Sequence, residues 1–304
     1  MSSSSVLFDA PGPKARRISL IASIVAGVVI IAGIAWMIWT LAQPRESGGI
    51  TLPGFFDPSR WDIFADPEVW QFIIVDGVLA TLRAALVASV FAIALGILFS
   101  LLRSAEAAWI RIPTTVVLEF LRGMPVLLMM LFILLVLNTG AFWAVVAALS
   151  LYNGALIGEA LRAGLAALPR GQREAGLSLG MRPLQSKMLV EFPQAFRQML
   201  PIIVAQLVVL LKDTSLGAIV GYVELLRLNM YQLATFYGNR YLVSFFIVTL
   251  VLYLTMNLLL SWFARGLSKR TSSQSAGKRL DPEDASQALL VAEATAAARE
   301  SKRP

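Results

Sequence analysis

The chain contains several runs of apolar residues that are long enough to cross a lipid bilayer. The first run, Leu20 to Ala42, holds no charged residue and follows Lys14, Arg16 and Arg17. About 18 or more such residues make a transmembrane helix, whereas the apolar part of a signal peptide is about 7–15 residues long. The run is therefore predicted to be an uncleaved anchor whose N-terminus stays in the cytoplasm.

Five further runs predict an all-α integral membrane protein with six transmembrane helices. They cover Val78–Leu102, Thr114–Leu137, Ala141–Gly158, Ile202–Tyr222 and Phe245–Phe263. A cytoplasmic start then places residues 103–113, 159–201 and 264–304 inside. Most of the 26 lysines and arginines fall in these inner segments, as the positive-inside rule requires. The net charge of +7 is therefore explained by topology and indicates no nucleic-acid partner.

The residue types that are missing restrict the chemistry. The chain has no cysteine and no histidine. Disulfides, thiolate metal sites and cysteine nucleophiles are thereby excluded, and so are the commonest general base and the histidine zinc motifs. We expect no enzymatic activity, no bound cofactor and no metal site in this chain.

The predicted organisation has five parts. These are a cytoplasmic N-terminus (1–19), an extra N-terminal transmembrane helix (20–42), an external connector (43–76), a transmembrane domain (77–265) with a long loop at about 159–200, and a cytoplasmic tail (266–304). In the connector, Pro67 to Val75 is read as a short helix in the membrane interface, with ordinary packing as the equal alternative. In the tail, a helix from Pro282 to about Arg299 has a thin apolar face, which favours a mobile tail.

The loop between the fourth and fifth apolar runs carries the strongest functional signal. A short helix from about Gly171 to Leu179 should follow Pro169 and stop at Gly180, a normal C-terminal glycine. It would present Leu177 beside polar residues, as helices that sit in a partner's groove do. Periodicity alone favours an ordinary amphipathic surface helix.

The spacing around this helix forms a motif. Glu174-Ala175-Gly176 is followed by three residues, Gly180, nine residues, and then Val-Glu-Phe-Pro193. This resembles the EAA signature of the membrane permease subunits of ABC importers, specifically the polar amino-acid group. Glycine, valine and phenylalanine replace the third alanine, the isoleucine and the leucine of the signature. Further group-like strings start at Glu119, Asn153, Glu159, Pro193 and Leu211, and the resemblance covers roughly residues 70–265.

The resemblance implies a fold, a set of partners and a location. Five core transmembrane helices would form a dimeric pore with a second permease subunit, either a related chain or a copy of this one. The pore would receive solute from an external binding protein, in the plasma membrane of a bacterium. The opening segment and the extra first helix look like the second permease of actinobacterial glutamate uptake systems, which makes glutamate the expected solute.

The resemblance also implies where energy enters. The signature helix would sit in a groove of a cytoplasmic ABC ATPase dimer, which holds the ATP and magnesium. This chain has no G-x-x-x-x-G-K-[ST] phosphate loop of its own. The matching ATPase-coupling positions are Arg173, Glu174, Ala175, Gly176, Gly180 and Arg182.

Polar residues within the predicted spans are candidates for the translocation path. Lys212, Asp213, Thr214 and Ser215 fall in the fifth run, where a charge must face protein or water. They line the solute path, or they form a buried ion pair or cap at a helix break. Both readings stand.

Four other polar residues in the spans have more local interpretations. Glu119 and Arg122 share a helix face just before Gly123 and Pro125, which favours a structural or gating pair over solute contact. Asn153 is more typical of an interhelical hydrogen bond than of a ligand. Arg83 is expected to snorkel to the external surface.

Two other classes of protein remain as alternatives. An ion-coupled secondary transporter of a polar solute would need no ATPase, and the EAA spacing argues against it. A membrane enzyme would need catalytic groups that the sequence lacks.

Overall fold

The structure, a computed structural model, describes residues 12–47 and 49–276. The helices of this part are α1 (Pro13–Ala42), α2 (Pro67–Gln71), α3 (Leu79–Arg103), α4 (Ala108–Gly123), α5 (Val126–Leu137), α6 (Ala141–Ala166), α7 (Arg170–Ser178), α8 (Pro183–Ser186), α9 (Phe192–Asp213), α10 (Leu225–Arg227), α11 (Ala234–Tyr237) and α12 (Leu242–Ala276). Strands β1 (Arg45–Ser47) and β2 (Ile50–Leu52) form an antiparallel hairpin. The predicted tail helix from Pro282 lies outside the described residues.

Five helical segments of the described chain are long and apolar enough to cross a membrane. They are Pro13–Ala42, Pro67–Arg103, Ala141–Ala166, Pro183–Ala218 and Asn239–Gly266. A sixth is obtained when α4 and α5 are counted together. The prediction of an all-α membrane protein is confirmed.

The predicted span from Thr114 to Leu137 begins at Ala108 in the structure, and it is interrupted where Gly123 and Pro125 were expected to break it. Helices α4 and α5 meet at an angle of 103°. Met124 between them has the extended ψ of 128°, because the ring of Pro125 disfavours a helical residue before it. The expected interruption after Gly123 is thus a sharp bend that changes the direction of the chain.

Two other predicted boundaries are also wrong. Pro67 to Val75 is no separate interfacial helix, since α2 continues through the π-helical turn Phe72–Val78 into α3. The fifth apolar run does not stay helical to Tyr222. Helix α9 ends at Asp213, a 3-10 turn follows at Thr214–Ala218, and Gly221 has a φ of +90° that a glycine adopts without strain.

The described chain divides into two compact units. The first contains the residues up to Ile74 and Leu228–Thr249. Its connector holds an aromatic cluster in which Phe55, Trp61 and Phe64 stack in sequence, and Phe64 also meets the ring of Phe245 at 5.3 Å. Trp61 donates its indole N–H to the Phe55 carbonyl at 3.0 Å. Trp61 therefore packs within the connector.

Helix α1 of the first unit has no buried residue. Its large apolar side chains are exposed around the whole helix, from Ile18 to Trp39. A helix that is apolar on every face needs lipid or protein around it. This agrees with the predicted membrane anchor.

The second unit contains Val75–Arg227 and the described residues from Leu250 onward. Its core is the pair α3 and α6, which approach closely through small residues. A Cβ added at Gly154 would lie 2.9 Å from the Cβ of Leu95, and one at Gly158 would lie 2.9 Å from the Cβ of Phe99. Glycine four residues apart is a typical way for membrane helices to pack backbone to backbone.

Candidate functional site

The loop segment, defined as residues 170–191, contains α7, α8 and a π-helical turn. Helix α7 runs from Arg170 to Ser178, close to the predicted bounds, and Gly180 ends it with a φ of +77°. Residues other than glycine adopt this conformation only at a cost. The predicted helix and its glycine stop are confirmed.

The six candidate coupling residues lie together on this segment but differ in exposure. The side chains of Arg173, Glu174 and Arg182 are exposed, and so is Ala175. Gly176 is buried, and a Cβ added there would lie 2.4 Å from the Oγ of Ser186. Glycine at this position of the motif thus allows α7 to dock directly on the end of α8.

Two polar contacts tie the loop segment to the end of α3. Arg173 forms an ion pair with Glu106 at 2.7 Å, and Lys187 donates to the backbone carbonyl of Ser104, also at 2.7 Å. The Arg173 pair is exposed and contributes about 0–1 kcal/mol. Together the contacts hold the loop segment against the turn after α3.

The outward side of the loop segment carries apolar side chains with little cover. Leu179 is 79% exposed, and the other exposed apolar residues are Leu177, Leu184, Met188 and Leu189. Exposed apolar groups among arginines and a glutamate are typical of a surface that binds another protein. The segment can therefore act as a docking surface.

An ion-pair cluster joins three helices beside this segment. Arg103, at the end of α3, pairs with Glu159 of α6 and with Glu119 of α4, the latter at 3.1 Å. Glu119 also pairs with Arg122 at 3.6 Å, and Glu159 with Arg162 at 2.7 Å. The predicted Glu119–Arg122 pair is present, but its central partner is Arg103, which the sequence did not single out.

Lys212 and Asp213 lie at the end of α9 and not within a continuous helix. Among the described residues, neither forms an ion pair within 4 Å, so the buried ion pair considered from the sequence is absent there. Thr214 and Ser215 donate to the carbonyls of Leu211 and Lys212 and so cap the last turn of the helix. The hydroxyls of this group thus fix the break, while Lys212 is exposed and Asp213 is partly exposed.

Asn153 and Arg83 each contact a residue of another helix. Asn153 is fully buried and accepts a 2.8 Å hydrogen bond from Gln206, which joins α6 to α9. The interhelical interpretation of Asn153 is confirmed. The guanidinium of Arg83 lies 5.0 Å from the centre of the Phe142 ring, so a cation–π contact holds the side chain that was predicted to snorkel.

A buried polar network after the α9 break was missed from the sequence. Glu224 is fully buried, accepts hydrogen bonds from the backbone N–H groups of Leu226 and Arg227, and accepts another from the Tyr253 hydroxyl. The hydroxyl of Thr81 accepts from the backbone N–H of Leu225. An acidic residue directly before a short helix is a capping signal, but its tyrosine partner is distant in sequence and could not be inferred.

Comparison with known proteins gives one matching family model. Residues 89–273 match the model described as "Binding-protein-dependent transport system inner membrane component". The match includes the loop segment, the α9 break and the Glu224 network. It leaves out α1 and the connector.

Individual relatives and solved structures agree with this model. The chain is 32% identical to the glutamate transport system permease protein GluD of Corynebacterium glutamicum, over 75% of this chain and 85% of that protein. It is 30% identical to the probable glutamine ABC transporter permease protein GlnP of Bacillus subtilis, over 64% and 92%. A crystal structure of an amino acid ABC transporter with histidines aligns with a TM-score of 0.59 at 26% identity, covering 67% of this chain and 95% of the other.

Proposed function

The chain belongs to the family of binding-protein-dependent transport system inner membrane components, and from this premise we propose that it is the permease subunit of an ATP-driven importer of a polar amino acid. The observation that carries the proposal is the exposed helix α7, which docks on α8 through Gly176 and is tied to the end of α3. The chain itself is a transport subunit and not an enzyme, and hydrolysis occurs in a separate ATPase.

In the proposed mechanism, the loop segment sits in a groove of the cytoplasmic ATPase dimer. Its exposed leucines supply apolar contact, and Glu174 and Arg182 add polar contacts at the rim. When the ATPase closes on ATP, movement of α7 passes through Arg173–Glu106 and Lys187–Ser104 to the end of α3. Arg103 then transmits it to α4 and α6 through its two carboxylate partners.

The end of α9 is proposed as part of the solute path. Lys212 and Asp213 place one positive and one negative charge at a helix break that the hydroxyls of Thr214 and Ser215 cap. A zwitterionic solute can be bound at such a break. An exposed lysine suits a solute with an extra carboxylate, and the similarity to a glutamate permease favours glutamate. Asn153, Glu119 and Arg122 then act on the path by holding helices rather than by touching solute.

The proposal specifies partners and location. The pore is completed by a second permease subunit, which is a related chain or a copy of this one, and solute arrives on an external binding protein. The site of action is the plasma membrane of a bacterium, with both termini in the cytoplasm. The loop segment then lies on the cytoplasmic side of the membrane.

The first experiment is copurification of the tagged chain from its native membrane with its partners. We expect an ATPase subunit to come down with the wild-type chain and to be lost with Gly180→Glu, which both strains the φ of +77° and adds a charge at the docking surface. Gly180→Asn is the matched variant, because asparagine tolerates this backbone region, and it should keep the ATPase. Gly12→Glu adds the same charge outside the loop segment and should also keep it.

The outcome also separates the two classes of transporter. A chain that purifies alone and transports solute when only an ion gradient, and no ATP, is supplied would be a secondary transporter. The proposal would then be wrong. Stimulation of the copurified ATPase by glutamate, glutamine or arginine in turn, each with the binding protein present, identifies the solute.

A further inference from the structure

A cavity of about 430 Å³ lies in the first unit, and eight of its eleven lining residues precede the region that matches the family model. It is lined by the end of α1, the β-hairpin, the connector and the start of α12. Both of these helix ends are also ends of apolar segments long enough to span a membrane, at Ala42 and at Asn239. The cavity is therefore placed at the level where a bilayer's hydrocarbon meets its headgroups.

Two arginines face this cavity. Arg60 is only 6% exposed and its Nε donates to the carbonyl of Pro53 at 2.8 Å, which fixes the plane of the guanidinium. Arg45, on β1, is exposed. Within residues 12–47 and 49–276, no carboxylate lies within 4 Å of either guanidinium. Asp57 attracts Arg60 only from beyond ion-pair distance. A buried guanidinium without a direct carboxylate partner is costly unless another anion binds it.

The connector is built to hold Arg60 in this place. The backbone N–H of Phe55 donates to the carbonyl of Leu41 at 2.8 Å, which closes the end of α1. A Cβ added at Gly54 would lie 2.1 Å from the carbonyl oxygen of Ala42. The chain before Arg60 is therefore held directly against the last turn of the membrane helix.

The rest of the lining is mostly apolar, and its polar members are Gln43, Glu46 and Asn239. Leu41, Leu52, Phe55, Leu242 and Val243 line the cavity, and Glu46 is the acidic side chain among its lining residues. The two arginines thus leave a net positive charge beside an apolar wall. A small soluble anion would use the arginines but not this wall, whereas a phospholipid uses both.

We propose that this cavity binds the phosphate of an anionic phospholipid, with Arg60 and Arg45 as its ligands and the apolar wall against the upper acyl chains. The planar guanidinium donates two parallel hydrogen bonds to a phosphate. Helix α1, exposed on all sides, supplies adjacent lipid-facing surface for the chains. The site would fix the extra helix and the connector at one membrane surface.

The test is native mass spectrometry of the full chain in detergent with added phosphatidylglycerol. Loss of a charge-assisted hydrogen bond predicts that Arg60→Gln lowers retention of the lipid by roughly tenfold. Arg45→Glu reverses a charge on an exposed side chain and leaves the connector's hydrogen bonds in place, so it should lower retention similarly even if Arg60→Gln fails to fold. Arg17→Gln removes one charge at the other end of α1 and should change nothing.

Further arms separate the possible sources of the anion. Diacylglycerol with the same acyl chains lacks the phosphate and should not be retained, and inorganic phosphate or glutamate at millimolar concentration should not displace phosphatidylglycerol. Equal retention of lipid by Arg45→Glu and wild type, or equal retention of diacylglycerol, would overturn the proposal. Complete displacement by a soluble anion, or by the external binding protein, would also overturn it.

Discussion

Replacement of Gly176 by alanine should loosen the loop segment, although alanine is the better helix former. An added Cβ would lie 2.4 Å from the Oγ and 3.0 Å from the Cβ of Ser186. The hydroxyl can rotate away, which breaks its 3.4 Å hydrogen bond to Glu191 and costs about 0.5–1.5 kcal/mol. The remaining Cβ contact forces α7 to move by a few tenths of an ångström, and overpacking of this kind costs about 1–3 kcal/mol.

The helix gain offsets part of this cost. Alanine for glycine inside a helix is worth about 0.5–1 kcal/mol, and the midpoints of the three ranges leave a net local destabilisation of about 2 kcal/mol. Gly171→Ala is the matched control in the same helix, because a Cβ there meets nothing within 4 Å. Gly171→Ala should therefore show only the stabilisation that alanine gives to the helix.

Hydrogen exchange of the α7 amides in detergent measures this difference. A change of about 2 kcal/mol speeds exchange roughly 30-fold for Gly176→Ala, while Gly171→Ala should slow it. Ser186→Gly removes both clashing atoms, so the double variant should recover most of the loss, with a coupling energy of about 1–2 kcal/mol. Equal protection in the two alanine variants, or strict additivity with Ser186→Gly, would refute the packing argument.

Three further substitutions test the second unit by thermal unfolding of the purified chain. Arg103→Gln should destabilise the second unit by about 1–2 kcal/mol, because Glu119 and Glu159 lose their shared partner but keep Arg122 and Arg162. An unchanged midpoint temperature of unfolding would show that Arg103 does not hold the ion-pair cluster together. Tyr253→Phe should cost about 1–3 kcal/mol, because it removes a hydrogen-bond donor from buried Glu224. Thr255→Val removes an exposed hydroxyl and should be nearly neutral. Equal effects of the two substitutions would contradict a stabilising role of the Glu224 network. Gly154→Ala should cost about 1–3 kcal/mol by pushing α6 against Leu95, and Gly33→Ala on α1, where the Cβ meets nothing, should not destabilise the protein.

The features that could be predicted from the sequence are those set by local chemistry. The bounds of α7 follow from Pro169 and Gly180, and the break before α5 follows from Gly123 and Pro125. The 103° bend at that break depends on how α5 packs and has no local signal. The end of α9 was placed nine residues too late by apolarity, because leucines and isoleucines continue past Asp213 while the hydroxyls of Thr214 and Ser215 cap the helix.

The candidate site divides in the same way. The coupling positions could be found because their spacing lies within one continuous segment. The residues that contact the loop segment could not be found from the sequence. Glu106, Ser104 and Ser186 meet it only after the chain has folded. The close approach of Gly176 to Ser186 supplies a physical reason for the glycine that replaces alanine in the motif.

The most direct test of the central claim is solute uptake by proteoliposomes that contain this chain, its copurified ATPase and the external binding protein. When ATP is present on the side of the membrane that carries the loop segment, labelled glutamate should accumulate on that side. Gly180→Glu should abolish this accumulation, and Gly180→Asn should retain it. An imposed proton or sodium gradient without ATP should give no accumulation. Uptake that follows the ion gradient and ignores both ATP and the Gly180 substitution would contradict the account.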